Sequence, residues 1–217
     1  MSVLRERPMI FSAEEVQAIR DGRKTQTRRV VKPQPRNRNT TAVAIAGDGI
    51  YEEFSPRGLL VDTRTWRCPY GQPGSRLWVR EGFYTAGDNK KLLGYVADSD
   101  HPHGEPYYKK PPIHMPRWAS RLTLTLTDVR VERVQEISEK DVAADGIEVE
   151  FHAPGSYGIS DPCATGTVTL PGGTQVWSTA LECYRRLWDS LNAKRGYGWD
   201  VNPWVWVLSF LMVTSNG

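Results

Sequence analysis

Hydrophobic and polar positions fall into short blocks along this chain, and two of the blocks share one pattern. Ser12 is followed three positions on by Glu15, Phe11 and Val16 flank them, and Gly22 closes the block. A hydroxyl there accepts an orphan backbone N–H, the acid reaches back, and the apolar pair packs together. That pattern predicts a helix from about Ala13 to Asp21. Ser138, Asp141, Ile137, Val142 and Gly146 repeat it and predict a second helix. A third is predicted where Trp177, Leu181, Tyr184, Trp188 and Leu191 recur at spacings of four and three, an apolar stripe suited to core packing.

Other blocks carry strand patterns. Thr27 to Val31 has β-branched character and stops at Lys32-Pro33. Arg76 to Glu81 alternates, with Leu77 and Val79 on one face and Trp78 and Arg80 on the other. Between Arg121 and Val134 the apolar phase slips: Leu122, Leu124 and Leu126 share one parity, Val129 and Val131 the other. One flat strand cannot bury both sets, so a bend or bulge is expected near Thr127-Asp128, as in a small closed barrel. Trp204 to Met212 is apolar at both parities and predicts a strand covered on both faces. Two stretches are looser and read as insertions, at about 34–73 and 148–175. The first holds a hairpin around Gly47-Asp48-Gly49. Asp98 to Pro116, rich in proline and histidine, reads as a loop or cover.

Composition narrows this picture. With 217 residues, 39% hydrophobic and 24% charged, the chain reads as one globular domain able to bury a core without staples. Its longest apolar run, Val205 to Val213, is broken by Ser209 and falls short of the roughly 20 residues of a membrane span, so no membrane partner is expected. Cys68, Cys163 and Cys183 are odd in number and far apart, and the first residues show no apolar leader. Both features predict a reduced, cytoplasmic protein. Net charge is only +3, but Arg20 to Arg38 sets Arg20, Arg23, Lys24, Arg28, Arg29, Lys32, Arg36 and Arg38 against Asp21 alone. Such a field attracts phosphate, or is a solvated basic edge.

The densest chemistry lies at Gly22-Arg23-Lys24-Thr25-Gln26-Thr27-Arg28-Arg29. It sets an ammonium, two hydroxyls and guanidiniums on a glycine-broken turn. Burial would turn Lys24 from a solvated lysine into a base, and a turn at Lys24-Thr25 would carry its amine over Thr27. Thr27 and Arg29 share a strand face, so a nucleophile or binder and an anion clamp point the same way. Asp145 stands at the last turn of the second helix, against the negative end of its dipole. It is a frayed, exposed acid or an acid with a raised pKa able to exchange a proton.

The spacing Gly-x-Lys-x-x-x-x-Arg, filled by Gly22, Lys24 and Arg29, resembles the signature of the ASCH family of PUA-like β-barrels. Glu139 to Gly146 is similar to a helix of its amidohydrolases of acylated cytidine, Gly74 to Val79 to a strand, and Trp204 to Phe210 to the closing strand. These blocks cover about half the chain, which most resembles the longer, phage-associated members. The resemblance implies an α+β fold, a PUA-like, mostly antiparallel β-barrel with flanking helices and loop insertions. It implies a nucleoside or nucleic-acid partner, RNA rather than DNA, and no cofactor. In those enzymes a lysine is the base, a threonine the nucleophile and a glutamate the proton donor. Lys24 and Thr27 match the first two, while the third position carries Asp145, shorter by one methylene. The expected function is nucleobase or nucleoside binding with amide hydrolysis at the exocyclic amine of cytidine. A non-catalytic RNA- or DNA-binding module and a ribonuclease are the alternatives.

Further binding residues are expected around that set. Trp78 with Arg80 and Glu81 either stacks and hydrogen-bonds a base or forms a surface ion pair. Tyr197 and Trp199, in the loop from Lys194, make a stacking platform, a lid or a plain connector. His101, His103, His114 and Cys68 lack zinc-ligand spacing, so no metal is expected.

Overall fold

A computed structural model describes residues 6–35, 42–47, 49–54, 57, 60–87, 91–98, 102, 106–147, 149–151, 166–169 and 175–213. The strands are β1 (Arg7–Ile10), β2 (Gln26–Val30), β3 (Ala42–Gly47), β4 (Ile50–Phe54), β5 (Leu60–Arg67), β6 (Arg76–Arg80) and β7 (Phe83–Ala86). They continue as β8 (Lys91–Tyr95), β9 (Tyr107–Lys110), β10 (Thr123–Arg133), β11 (Val149–Phe151), β12 (Gly166–Thr169), β13 (Gln175–Ser178) and β14 (Trp204–Val213). The helices are α1 (Ala13–Arg20), α2 (Glu139–Ala144) and α3 (Ala180–Asn192). The protein is mixed α+β, with mostly antiparallel strand pairing and few helices. Among the described residues no helix is long and apolar enough to cross a membrane.

The chain divides into two compact units. The first comprises Met1–Gly22, Cys68–Val129 and Ser209–Gly217, the second Arg23–Arg67 and Arg130–Leu208.

In the first unit α1 begins as its sequence dictates. The Ser12 hydroxyl accepts from the Glu15 N–H, the Glu15 carboxylate accepts from the Ser12 N–H at 2.9 Å, and Phe11 and Val16 are fully buried. Gly22 ends the turn at φ +74°, a conformation that glycine adopts without strain. β1 runs parallel to β6, and β6 antiparallel to β10, which places Met9 opposite Val79 and Leu77 opposite Leu124. All four are buried, as alternation along β6 and β10 requires. In β10 the buried phase passes from Leu124 and Leu126 to Val129, with Thr127 and Asp128 both exposed between them, where the sequence calls for a bend.

Two features of this unit go beyond what the sequence predicts. Phe83, Tyr84 and Thr85 are buried consecutively in β7, so they lack the alternation that marks a half-covered strand, and β7 pairs with β8 and β9. Asp98 to Pro116, expected as a loop or cover, contains β9 and a short 3-10 turn at Pro112–His114, with another at Arg117–Ala119 just after it. Met115 and Ala119 pack there with Phe83.

In the second unit α2 repeats the capping box with Ser138 and Asp141, and Gly146 stops it at φ +87°. Val142 and Ile137 join Val134, Tyr184, Trp188, Trp199, Val205 and Val207 in one core cluster. Trp204 through Leu208 are all buried, the double-sided coverage predicted for β14. The first insertion holds a three-stranded sheet, β3-β4-β5, where one hairpin was expected. β11-β12-β13 form another sheet, and residues 152–165 of the second insertion lie outside the described residues. The apolar stripe assigned to the third helix is corrected at three points. Trp177 belongs to β13, and Leu181 and Leu191 are exposed, while Cys183, Tyr184 and Trp188 face the core.

Candidate functional site

The second unit brings Lys24 and Asp145 together. Asp145 caps the C-terminus of α2, its N–H donating to the Asp141 carbonyl at 2.8 Å. Lys24 forms an isolated antiparallel bridge with it, and the neighbouring Thr25 N–H donates to the Ala144 carbonyl at 2.8 Å. The Lys24 ammonium therefore sits at the end of the helix. It donates to the Asp145 carbonyl oxygen at 2.7 Å and lies 3.5 Å from Oδ1 of the same residue. A cation on the last carbonyls complements the negative pole that would otherwise oppose an aspartate there. Lys24 is 5% exposed and Asp145 9%.

Arg28 supplies the other half of the site. Its guanidinium Nη1 is hydrogen-bonded to Asp145 Oδ2 and donates to Gln26 Oε1 at 2.8 Å. On its other side Nη2 and Nε donate to Glu132 Oε1 at 2.7 and 3.2 Å. Arg130 closes the ring, donating to Glu132 Oε2 and Asp141 Oδ1, each at 3.0 Å. Lys24, Arg28 and Arg130 thus face Asp145, Glu132 and Asp141, a neutral set by sign. Such balance is what allows charges to remain in a poorly hydrated interior.

The site shifts its own titrations. Burial pushes the Asp145 carboxyl upward, against the lowering pull of Lys24 and Arg28. Burial would also lift Asp141, but hydrogen bonds from Ser138 and the charge of Arg28 hold it down at about 2. Burial would lower Arg28, and the Asp145 charge, with Glu132, raises it instead. The Tyr184 hydroxyl is driven up, first by burial and then by the Asp145 charge, and its ring lies 5.9 Å from the Arg28 guanidinium carbon.

Thr27 is buried within β2, between Gln26 and Arg28. Strand alternation sets it with half-buried Arg29 on the face opposite Gln26 and Arg28. Tyr197 is half-buried, its carbonyl accepting from Trp188 Nε1 at 2.8 Å and its ring lying under the Lys32 ammonium at 5.2 Å. Trp199 is a correction to the expectation of a stacking loop. Its ring is packed in the core with Tyr184, and its N–H donates to Asp189 Oδ1 at 2.6 Å.

Trp78, Arg80 and Glu81 belong to the first unit. Glu81 is fully buried and bound at both oxygens by Arg121, each at 2.9 Å, so its partner is Arg121 and not the neighbouring Arg80. Arg121 also holds Asp98, and its guanidinium carbon lies 3.8 Å from the Tyr95 ring centroid. Arg80 stacks on Trp78 at 5.3 Å and donates to the carbonyls of Met115 and Ile113. Among the described residues no three His, Cys, Asp or Glu side chains form a metal-holding group, and His101 and His103 lie outside those residues. Burial lifts the Cys68 thiol to about 11, so it is not a ready nucleophile.

Arg28, Glu132 and Arg130 are the members that sequence reasoning missed. Asp141 was read only as a cap and Tyr184 only as core. The one available signal was the pair of adjacent arginines in β2. No family model, curated protein or solved structure matches the chain.

Proposed function

We propose that the protein is a PUA-like, ASCH-type nucleoside-binding protein that removes an acyl group from the exocyclic amine of cytidine. The observation that carries this reading is the buried contact of the Lys24 ammonium with Asp145, 121 positions away in the chain. It joins two of the three residues to which the sequence resemblance assigns the chemistry.

In this route the Thr27 hydroxyl oxygen attacks the acyl carbon while the Lys24 amine takes its proton. The bond from the acyl carbon to the cytidine nitrogen then breaks, and Asp145 protonates the departing amine. Water cleaves the resulting threonine ester and returns Thr27. The reactive state requires a neutral amine and a protonated acid. A shift of one proton from Lys24 Nζ to Asp145 Oδ1 produces both with no change in total charge. Burial favours the protonated Asp145 carboxyl, and Lys24 and Arg28 favour its ionised form.

A second reading has its own support. Arg28 occupies Asp145 Oδ2, and alternation turns Thr27 away from the Arg28 face. Both features suit a site that binds a nucleobase without cleaving it. Incubation with acylated cytidine separates the two readings, with wild type compared against Lys24→Ala and Thr27→Ala. The hydrolase reading expects free cytidine from wild type and almost none from either variant. Absence of wild-type turnover alongside saturable nucleoside binding selects the second reading.

A further inference from the structure

A buried indole in the second unit carries a donor that the fold leaves unused. Trp204 is 3% exposed, and its backbone is fully paired. The N–H donates to Gln34 Oε1 at 2.8 Å, and the carbonyl accepts from Gln34 Nε2 at 2.9 Å and from the Val31 N–H at 3.0 Å. Its Nε1–H has no hydrogen-bond partner, the one such buried side-chain atom among the described residues. Trp66 and Trp188, also buried, donate from Nε1 to the Pro33 and Tyr197 carbonyls at 2.9 and 2.8 Å. Buried donors are normally satisfied, so the exception marks a place where an acceptor belongs.

Arg133 lies over that ring, its guanidinium carbon 4.3 Å from the centroid. It is half-buried, Nη1 donates to the Asn202 carbonyl at 2.9 Å, and no carboxylate among the described residues forms an ion pair with it. Burial lowers its pKa, and the charge of Glu136 offsets this only in part. The Glu136 carboxylate instead accepts from the Arg133 backbone N–H at 2.8 Å. A cation drawn partly out of water without a bound anion is a second unmet demand at the same spot. The backbone around the pair is pinned. Asn202 holds a left-handed φ of +49°, its Oδ1 accepts from the Gln135 N–H at 3.1 Å, and the Val134 N–H donates to the Pro203 carbonyl at 3.0 Å. Alternation along β14 turns Trp204 to the side of Trp206, which packs edge-on against Tyr51, and away from Val205 and Val207 in the core with α2 and α3.

We propose that Trp204 and Arg133 form a binding site for a small monocarboxylate, one oxygen accepting from Trp204 Nε1 and the other from the Arg133 guanidinium. A water molecule would answer the indole alone and leave the cation uncompensated. A carboxylate answers both, and its bonds to a guanidinium are charge-assisted. One cation matches one negative charge, whereas phosphate would bring surplus charge to a place where Glu136 is already close. Arg133 is the more exposed of the two residues, so the ligand meets the guanidinium first and the indole edge second. The proposal stands apart from the nucleoside site: Arg133 and Trp204 make no hydrogen bond to Lys24, Arg28 or Asp145.

Proton–nitrogen correlation spectra of the full chain test it through the indole N–H resonances, with Trp204→Phe used only to assign the Trp204 signal. Acetate, benzoate and inorganic phosphate are titrated separately at constant ionic strength. The Trp204 resonance is expected to move, saturably, with acetate or benzoate and less with phosphate. Arg133→Met should weaken the apparent affinity by about tenfold or more, the scale of one lost hydrogen bond to a charged group. Arg133→Lys keeps the charge without the planar fork and should fall between, which preserves the test if Arg133→Met does not fold. A Trp204 resonance that stays still or moves without saturating overturns the proposal. So does affinity unchanged in the folded variants, a preference for phosphate, or a response confined to an N-acetylated tripeptide with a free C-terminus. None of these readouts involves acylated cytidine, so the two sites fail or stand separately.

Discussion

Arg28 and Asp145 are ion-paired inside the second unit although 117 positions separate them, and the Arg28 side chain has no exposed surface. The same guanidinium reaches Glu132, so one cation from β2 fastens the end of α2 to the end of β10. The pairing sets the charge around Lys24 and makes Arg28 the point on which the neutrality of the site rests.

Removing that cation should therefore damage the fold more than an ordinary surface change. Arg28→Met leaves two carboxylates in the interior with less compensation, and the expected loss is about 3–5 kcal/mol. Urea unfolding followed by tryptophan fluorescence measures it. The double variant Arg28→Met/Asp145→Asn should recover part of the loss, and a double variant no more stable than Arg28→Met would refute the coupling.

Acid stability should depend on Asp141. Its folded pKa of about 2 lies below the 3.8 of an ordinary aspartate. A depressed carboxyl stabilises the fold above its unfolded pKa, and that contribution is lost as pH falls from about 4 through 2. Asp141 is partly solvated, so its share is about 1 kcal/mol or less. Asp145 acts in the opposite sense, since its pKa is raised. The comparison of wild type with Asp141→Asn, by urea midpoint against pH, isolates the Asp141 contribution: the difference should shrink between pH 4 and 2.

The helix ends give a third expectation. Ser12→Ala removes one partner of the α1 capping box and should cost about 1 kcal/mol. Ser138→Ala should cost more, because the Ser138 hydroxyl also donates to Asp141 Oδ2 at 2.7 Å and so orients an acid that Arg130 binds. Thermal melts of the two variants under one condition rank them. A larger shift for Ser12→Ala would contradict the role given to Asp141.

Both capped helices were legible in the sequence because their signals are local: a hydroxyl, an acid three residues on, a flanking apolar pair and a closing glycine. Lys24 and Asp145 were legible for the same reason, as polar residues set beside glycine stops. Arg28 was not. β2 is covered on both sides, so Gln26, Thr27 and Arg28 are buried in succession and alternation does not say which guanidinium enters the interior. Its carboxylate partners stand 104 and 117 positions away, beyond any periodicity. Trp199 failed for the converse reason. Its glycine-rich surroundings read as a loop, but the ring reaches a core built from α2, α3 and β14. β7 and β9 lack a period altogether, one being buried at successive positions and the other largely exposed.

The proposed hydrolysis places a specific demand on Asp145, and its pH dependence is the sharpest test of that demand. As proton donor the residue must be protonated in the reactive state, so turnover should fall as pH rises through its folded pKa. Burial moves that pKa upward and carries the active range towards neutrality, in the direction opposite to that of an exposed aspartate. Asp145→Asn removes the proton and should lower kcat by about 10²–10⁴-fold, with KM for the nucleoside little changed. The falling limb of the pH profile should disappear with it. A purely structural role for Asp145 predicts a different outcome: the variant would lose stability, while its remaining activity kept the wild-type pH profile. Asp145→Glu adds a reading of distance, since the longer acid reaches one methylene further and must displace Arg28 to do so. Higher turnover in Asp145→Glu than in wild type, with a lower melting temperature, would place the native carboxylate short of the leaving nitrogen and held there by Arg28.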